Sequence, residues 1–294
     1  SSSAFVYNLK TKKIKVLLSN SKGLFPAQEG LGLIVGFNKN SRELYMPAYA
    51  GRFGVTPKYH LYRVSLKNGR GKVHAKGNSS TIQWFVDGTG KVLAREDYNP
   101  STQNHEIYSD VSGNWQTIYS YKTPIPEFTP QALSDDGSRL LLLSGDGNNL
   151  AVFSMSLKDG DIQGPLYVRE GTDVGDLETD INQTLIAVKY SGFTPSYEFN
   201  NAEDNESYSI LADHFSYSSV NVHGKTADNN KWLISVSGNE GAGAYKLFDR
   251  AQTKLYNLVS EYPAVRSIGE LEALNLSARD GMKIPSIITL PTDP

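Results

Sequence analysis

The groups in this chain most able to do acid–base or metal chemistry are five histidines, His60, His74, His105, His214 and His223. A zinc-hydrolase pair would stand at i and i+4 on one helix face, as in H-E-x-x-H. A serine nucleophile would be raised on a G-x-S-x-G turn with Asp and His later in the chain. Neither spacing occurs in the sequence. The histidines are far apart, in or beside runs that read as strands, and a structural or surface role is expected for each. Asp135-Asp136-Gly137 and Asp146-Gly147-Asn148-Asn149 resemble calcium loops in composition. The first lacks the alternate-position ligand ladder and the distal Glu, and both separate two apolar runs, so both are expected to be hairpin turns. Gly238-Asn239-Glu240-Gly241-Ala242-Gly243 is glycine-rich but joins strand to strand, not strand to helix, and implies no phosphate cradle. The chain has no cysteine, which removes disulfides, thiolate metal sites and a thiol nucleophile while leaving the compartment open. No catalytic residue, metal ligand or cofactor site is therefore expected within these 294 residues.

One stretch departs from the pattern of the rest. Residues 194–213 are polar and acidic and carry Tyr197, Glu198, Phe199, Glu203, Asp204 and Glu206. They read as a long loop, and long loops on rigid repeat scaffolds are where binding residues concentrate; the plainer reading is a solvated insertion.

The surrounding elements repeat one theme. Short apolar strands alternate with turns of the D-D-G-S or K-x-G kind, whose small polar residues tolerate positive φ. Residues 32–37, 43–48, 59–66 and 71–75 make four strands in about 45 residues, the period of a propeller blade. A second unit follows with strands at 81–85, 91–96, 105–110 and 116–121. The third, at 132–134, 139–144, 150–156 and 164–169, is the most regular. A fourth opens at Gly175, with a turn at 180–183 and a strand at 185–190, and then loses the pattern. A fifth spans 216–258, and a strand pair at 4–9 and 14–18 stands at the start. The sequence thus predicts an all-β chain, a β-propeller with about five to six blades' worth of strands. The charge, 29 basic against 31 acidic residues, gives no field for nucleic acid or an anionic membrane, and no apolar run reaches the ~18 residues of a transmembrane helix. Ser1-Ser2-Ser3 begins without Met or a leader, so the natural amino terminus is expected to lie upstream.

The closing residues are the most specific. Y-K-L-F-D-R from Tyr245, K-L at Lys254 and then A-R-D-G-M-K-I-P-S-I-I-T-L-P from Ala278 to Pro291 combine a strand–turn–strand with an Asp-Gly hairpin. This combination resembles the junction in prolyl-oligopeptidase-family serine peptidases, especially the bacterial acylaminoacyl-peptidase-like branch, where the last blade of a seven-bladed propeller hands over to an α/β-hydrolase domain. The resemblance implies a propeller over 1–266, shortened at its amino-terminal end, and over 267–294 the junction and first hairpin of a hydrolase domain whose Ser-Asp-His site lies outside this chain. The chain alone would be inactive. Its partners would be that hydrolase domain and, through it, short peptides. Since blade loops in the family restrict access to the active site, the resemblance makes Tyr197, Glu198, Phe199, Glu203, Asp204 and Glu206 candidates for substrate gating. The tail from Ile268, cut from its own sheet, is expected to be mobile or docked on a neighbour.

Two other readings stay open. A free-standing, periplasmic-type propeller serving as a protein-interaction scaffold fits the blades but leaves the R-D-G-M-K-I-P tail unexplained. A propeller enzyme with its site in the central channel needs convergent histidines or carboxylates, which the scattered histidines do not supply.

Overall fold

The structure, a computed structural model, describes residues 2–18, 21–147, 149–215, 218–238, 241–265 and 268–291. It is built almost wholly of antiparallel strands and divides into two compact units, 1–186 and 187–294.

In the first unit, β1 (Phe5–Tyr7) and β2 (Ile14–Val16) form a two-stranded sheet. Three four-stranded meanders follow: β3 (Gly36–Asn38), β4 (Glu43–Ala50), β5 (Lys58–Ser65) and β6 (Gly71–Ala75); β7 (Thr81–Val86), β8 (Val92–Asn99), β9 (Asn104–Ser109) and β10 (Gln116–Lys122); β11 (Phe128–Leu133), β12 (Arg139–Gly145), β13 (Leu150–Ser156) and β14 (Ile162–Tyr167). Each sheet keeps its strands in chain order, which is the construction of a propeller blade. β15 (Val174–Thr179) opens the next blade, and the unit ends inside β16 (Leu185–Tyr190).

In the first three blades the period-2 geometry of the inner strands turns apolar side chains to both faces, and neighbouring elements cover them. Leu44, Met46 and Ala48 of β4 pack with Leu17, Leu18 and Tyr62. Tyr45, on the opposite face of the same strand, packs with Trp84, Val86 and Val92 of the second blade. That blade turns Phe85, Leu93 and Ile107 towards Phe128, Leu140, Leu142 and Met155 of the third. Burying a Leu or Phe side chain contributes roughly 1.5–3 kcal/mol, so these clusters hold the blades face to face.

The turns recur with one chemistry. Asp87 Oδ1 accepts from the backbone N–H groups of Thr89 and Lys91, both at 2.9 Å, and Asp180 Oδ1 does the same for Asn182 and Thr184, again at 2.9 Å. Asp136 accepts from the Ser134 hydroxyl at 2.6 Å and the Ser138 N–H at 3.0 Å, with Gly137 at φ 65°. The Ser134 and Ser138 hydrogen bonds pull the Asp136 carboxyl down to about 2. Asp135-Asp136-Gly137 is thus a hairpin turn whose carboxylate is spent on its own backbone. Asp146 and Asn149 close their hairpin by N–H···O bonds of 2.8 and 2.9 Å; Asn148 lies outside the described residues.

In the second unit, β16 pairs with β17 (Ser196–Phe199), which leads into α1 (Ala202–His214). A further meander holds β18 (Ser218–Lys225), β19 (Lys231–Gly238), β20 (Gly241–Asp249) and β21 (Lys254–Ser260). The glycine-rich segment at 238–243 joins β19 to β20, strand to strand; Asn239 and Glu240 lie outside the described residues. β22 (Glu270–Ser277) and β23 (Lys283–Leu290) form a closing hairpin about Asp280-Gly281, paired in continuous register from Glu270↔Leu290 to Ser277↔Lys283. The expected boundary between 266 and 267 lies outside the described residues.

Two expectations need correction. The stretch 194–213 is not a loop but a strand followed by a thirteen-residue helix. His214 accordingly sits at the end of that helix instead of beside a strand. The start signal was present: Asn201 is the N-cap, its side chain accepting from Asp204 N–H at 2.9 Å, with Glu203 and Asp204 in the first turn. Tyr208, Leu211 and Phe215 then recur at helical spacing and are all buried.

Candidate functional site

Four of the histidines each have a hydrogen-bond partner of their own. His60 Nδ1 accepts from Gly77 N–H at 3.2 Å, and its burial, with Lys58 and Lys76 nearby, lowers its pKa. His74 Nε2 donates to the Gly90 carbonyl at 2.8 Å, and His223 meets the Ser235 hydroxyl at 2.7 Å. His105 is fully buried in the second blade, with Nε2 2.8 Å from Glu96 Oε1 and the Tyr119 and Phe128 rings within 5.5 Å. Burial pushes the Glu96 carboxyl up, against the opposing pull of His105. At 0% and 2% side-chain exposure, this acid–base pair is closed to any substrate. Among the described residues, no group of three or more His, Asp or Glu side chains is placed to hold a metal ion.

A dense polar constellation forms around Asp204, one of the residues singled out in the sequence. N-capping by Asn201 fixes the first turn of α1, which points the Asp204 side chain at the β18–β19 turn. The residue is 3% exposed, accepts hydrogen bonds from three side chains and has a second cation beside it. Lys225 Nζ, Asn229 Nδ2 (2.6 Å) and Asn201 Nδ2 (2.9 Å) donate hydrogen bonds, and Arg250 Nη1 lies 3.4 Å from Oδ1. Burial alone would raise this carboxyl, but the donors from Lys225, Asn201 and Asn229 outweigh it and hold Asp204 below the usual carboxylate range. Lys225 moves the unfavourable way: burial, together with the Arg250 charge, lowers its pKa against the opposing pull of Asp204. The two shifts describe one desolvated ion pair whose carboxylate, with more partners, is the better-compensated half.

Arg250, in the β20–β21 turn, completes the clasp. Its Nε donates to Ser207 Oγ at 2.8 Å, Nη1 to the Asn229 carbonyl at 3.0 Å and Nη2 to the Glu203 carbonyl at 3.2 Å. Beneath the charges lies an aromatic floor. Lys225 Nζ sits 4.3 Å from the Phe199 ring centre and 4.4 Å from that of Trp232, and Tyr208 stands edge-on to Tyr197 at 5.1 Å. Asn205 seals the strand–helix corner by bonding both the N–H and the carbonyl of Phe199 at 2.8 Å.

Of the six candidates, Asp204, Phe199 and Tyr197 are thus brought together as buried parts of this clasp. Glu203 stands at its rim, 84% exposed at the side chain and 3.8 Å from Arg250, and Glu206 faces solvent one turn on. Glu198 is elsewhere, accepting from the Tyr190 hydroxyl at 3.0 Å. The sequence reading missed Lys225, Asn229, Trp232 and Arg250. Lys225 and Asn229 flank or sit in a segment that reads only as a turn, and nothing in their spacing marks them as partners of a carboxylate about twenty residues earlier. Chemically the constellation fastens: its buried carboxylate, lysine and arginine are turned on one another.

No family model matches the chain, and no curated protein matches it in sequence. Among solved structures it is similar to prolyl oligopeptidase B from Galerina marginata, with a TM-score of 0.56 at 11% identity over 92% of this chain and 40% of that one. It is also similar to a puromycin-hydrolyzing peptidase of Mycobacterium tuberculosis, with a TM-score of 0.57, 13% identity and coverage of 96% and 46%. A puromycin hydrolase aligns at a TM-score of 0.59 and 12% identity over 98% of this chain and 46% of that one. The chain spans less than half the length of each of these proteins. At such identities the likeness is one of fold, and the fold that this chain adopts is the β-propeller.

Proposed function

We propose that this chain is the propeller portion of a prolyl-oligopeptidase-family serine peptidase of the acylaminoacyl-peptidase-like bacterial kind. In this reading it admits short peptides to a Ser-Asp-His site on a hydrolase domain of the same polypeptide. The observation that carries the reading is the closing hairpin. β22 and β23 pair with each other and, among the described residues, with no other strand, and Leu276, Met282, Ile284, Ile287, Ile288 and Leu290 are all at least 38% exposed. A two-stranded sheet with such apolar faces is not stable by itself and calls for a further packing partner. That supports residues 267–294 as the first element of a second domain and 1–266 as the propeller. Fold likeness to peptidases more than twice as long is in keeping with it.

Within this reading α1 is the gating element. Asp204, Phe199 and Tyr197 hold it to its blade, and Glu203 and Glu206 present charge on its open side. The test uses the full-length gene product. A fluorophosphonate probe should label one serine outside residues 1–294, and Glu203→Gln with Glu206→Gln should alter the ratio of kcat/KM for short over long peptides. An unlabelled product rules the peptidase reading out in favour of a free-standing interaction propeller. A labelled product with an unchanged ratio removes only the gating role of the helix.

A further inference from the structure

The first complete blade ends in β6, an edge strand, and among the described residues no backbone group from 72 to 75 is hydrogen-bonded on the side away from β5. An unpaired edge is a template for another extended chain. Beside it runs an open groove of about 720 Å³ lined by Val73, His74 and Lys76 of the edge and by Lys91, Asp110 and Trp115 of the second blade. Its walls are fixed. His74, where the β5–β6 register shifts, is tied to the Gly90 carbonyl and lies 5.0 Å from the Tyr45 ring. Lys91 Nζ donates to the Val111 carbonyl at 2.7 Å. Trp115 is 42% exposed, yet the Arg95 guanidinium lies 5.2 Å over its ring and Trp84 meets it edge-on at 6.2 Å. An exposed indole so braced loses little freedom when a ligand covers it.

The charge is one-sided. Residues 58–76 contain Lys58, Arg63, Lys67, Arg70, Lys72 and Lys76 and no Asp or Glu, in a chain of formal net charge −2. Glu43 offsets Arg63 at 3.4 Å, and Asp110 is the one acid lining the groove. We propose that the β6 edge and this groove are a docking site for an extended acidic peptide segment of a partner protein. The segment adds as a further strand, with carboxylates over Lys72 and Lys76 and an apolar or aromatic side chain on Trp115. Main-chain pairing at a sheet edge supplies the affinity in this mode, and the flanking side chains supply the selection. A nucleic acid fits less well: its backbone cannot pair with a strand edge, and one indole is a short stacking platform.

The probe is fluorescein-labelled acetyl-Glu-Val-Glu-Phe-Glu-Val-amide, titrated against the full chain by fluorescence anisotropy at low salt. Binding with a Kd under about 1 mM is expected. It should weaken at least tenfold on methylation of alternate backbone nitrogens in one register, on replacement of Glu by Lys in the peptide, and in the Lys72→Glu/Lys76→Glu chain. The peptide-side changes leave the protein intact, so they decide the matter even if the double variant folds poorly. No binding up to that concentration, equal binding of both N-methylated registers, or equal binding of a single-stranded oligonucleotide of matched charge overturns the proposal.

Discussion

Removing the Asp204 carboxylate is the sharpest probe of how α1 is held. In Asp204→Ala the helix keeps its N-cap, because Asn201 still accepts from the backbone N–H of residue 204. What is lost is the common acceptor of Lys225, Asn229 and Asn201, and the buried one of the two carboxylates beside Arg250. Lys225 and Arg250 are only 16% and 17% exposed at the side chain, so neither regains full hydration. Stranding a buried cation in this way costs about 3–5 kcal/mol. For a chain of 294 residues that corresponds to a fall in melting temperature of roughly 5–8 °C. The sign of the pH dependence follows from the depressed carboxyl. Its stabilisation is present above the unfolded-state value of about 3.9 and is lost as pH falls through the lower folded value, so the gap between wild type and variant should close on acidification. Thermal melts from neutral to acidic pH measure this, with hydrogen exchange locating the loss in α1. A double-mutant cycle with Lys225→Met should return a coupling above about 0.5 kcal/mol, since the two residues are in contact. A melting point within a degree of wild type, or independent effects of the two substitutions, would refute the clasp.

The buried Glu96–His105 pair has the opposite sign. Burial raises the Glu96 carboxyl, so the folded state holds its proton more tightly than the unfolded state does. Its contribution is therefore greatest below the unfolded value of about 4.3 and declines as pH rises through the folded value. The difference in unfolding free energy between wild type and Glu96→Gln, measured by urea titration, should fall from pH 4 towards neutrality; a flat difference contradicts the assignment. At the β7–β8 turn, Gly90 has φ 92° and a Cβ there would overlap the Tyr45 ring. Gly90→Ala should cost roughly 1–3 kcal/mol, read as a lower urea midpoint at unchanged slope.

The blades were legible because their signals are local. Residues 43–48 are a near-continuous apolar run, as a strand buried on both faces requires, and Asp135-Asp136-Gly137-Ser138 reads as the turn that it is. The same locality made the five histidines read as unrelated. Reading by blade period misled at 194–213, where a helix replaces the expected loop. There the polarity of Glu203, Asp204 and Glu206 outweighed the Asn201 cap and the Tyr208, Leu211 and Phe215 spacing, which together specify a helix with one buried stripe.

The amino-acid order alone determined the all-β class, the succession of four-stranded units, the turn positions and the Asp-Gly hairpin that closes the chain, since each depends on side-chain period and turn chemistry within a few residues. Only the tertiary structure decided which charges meet. Asp204 finds Lys225, Asn229 and Arg250, and Glu96 finds His105, because β-pairing and blade packing bring residues 9 to 46 positions apart within hydrogen-bond or ion-pair range. Burial then turns those meetings into shifted carboxyls and a fastened helix, through the loss of hydration that no linear pattern records.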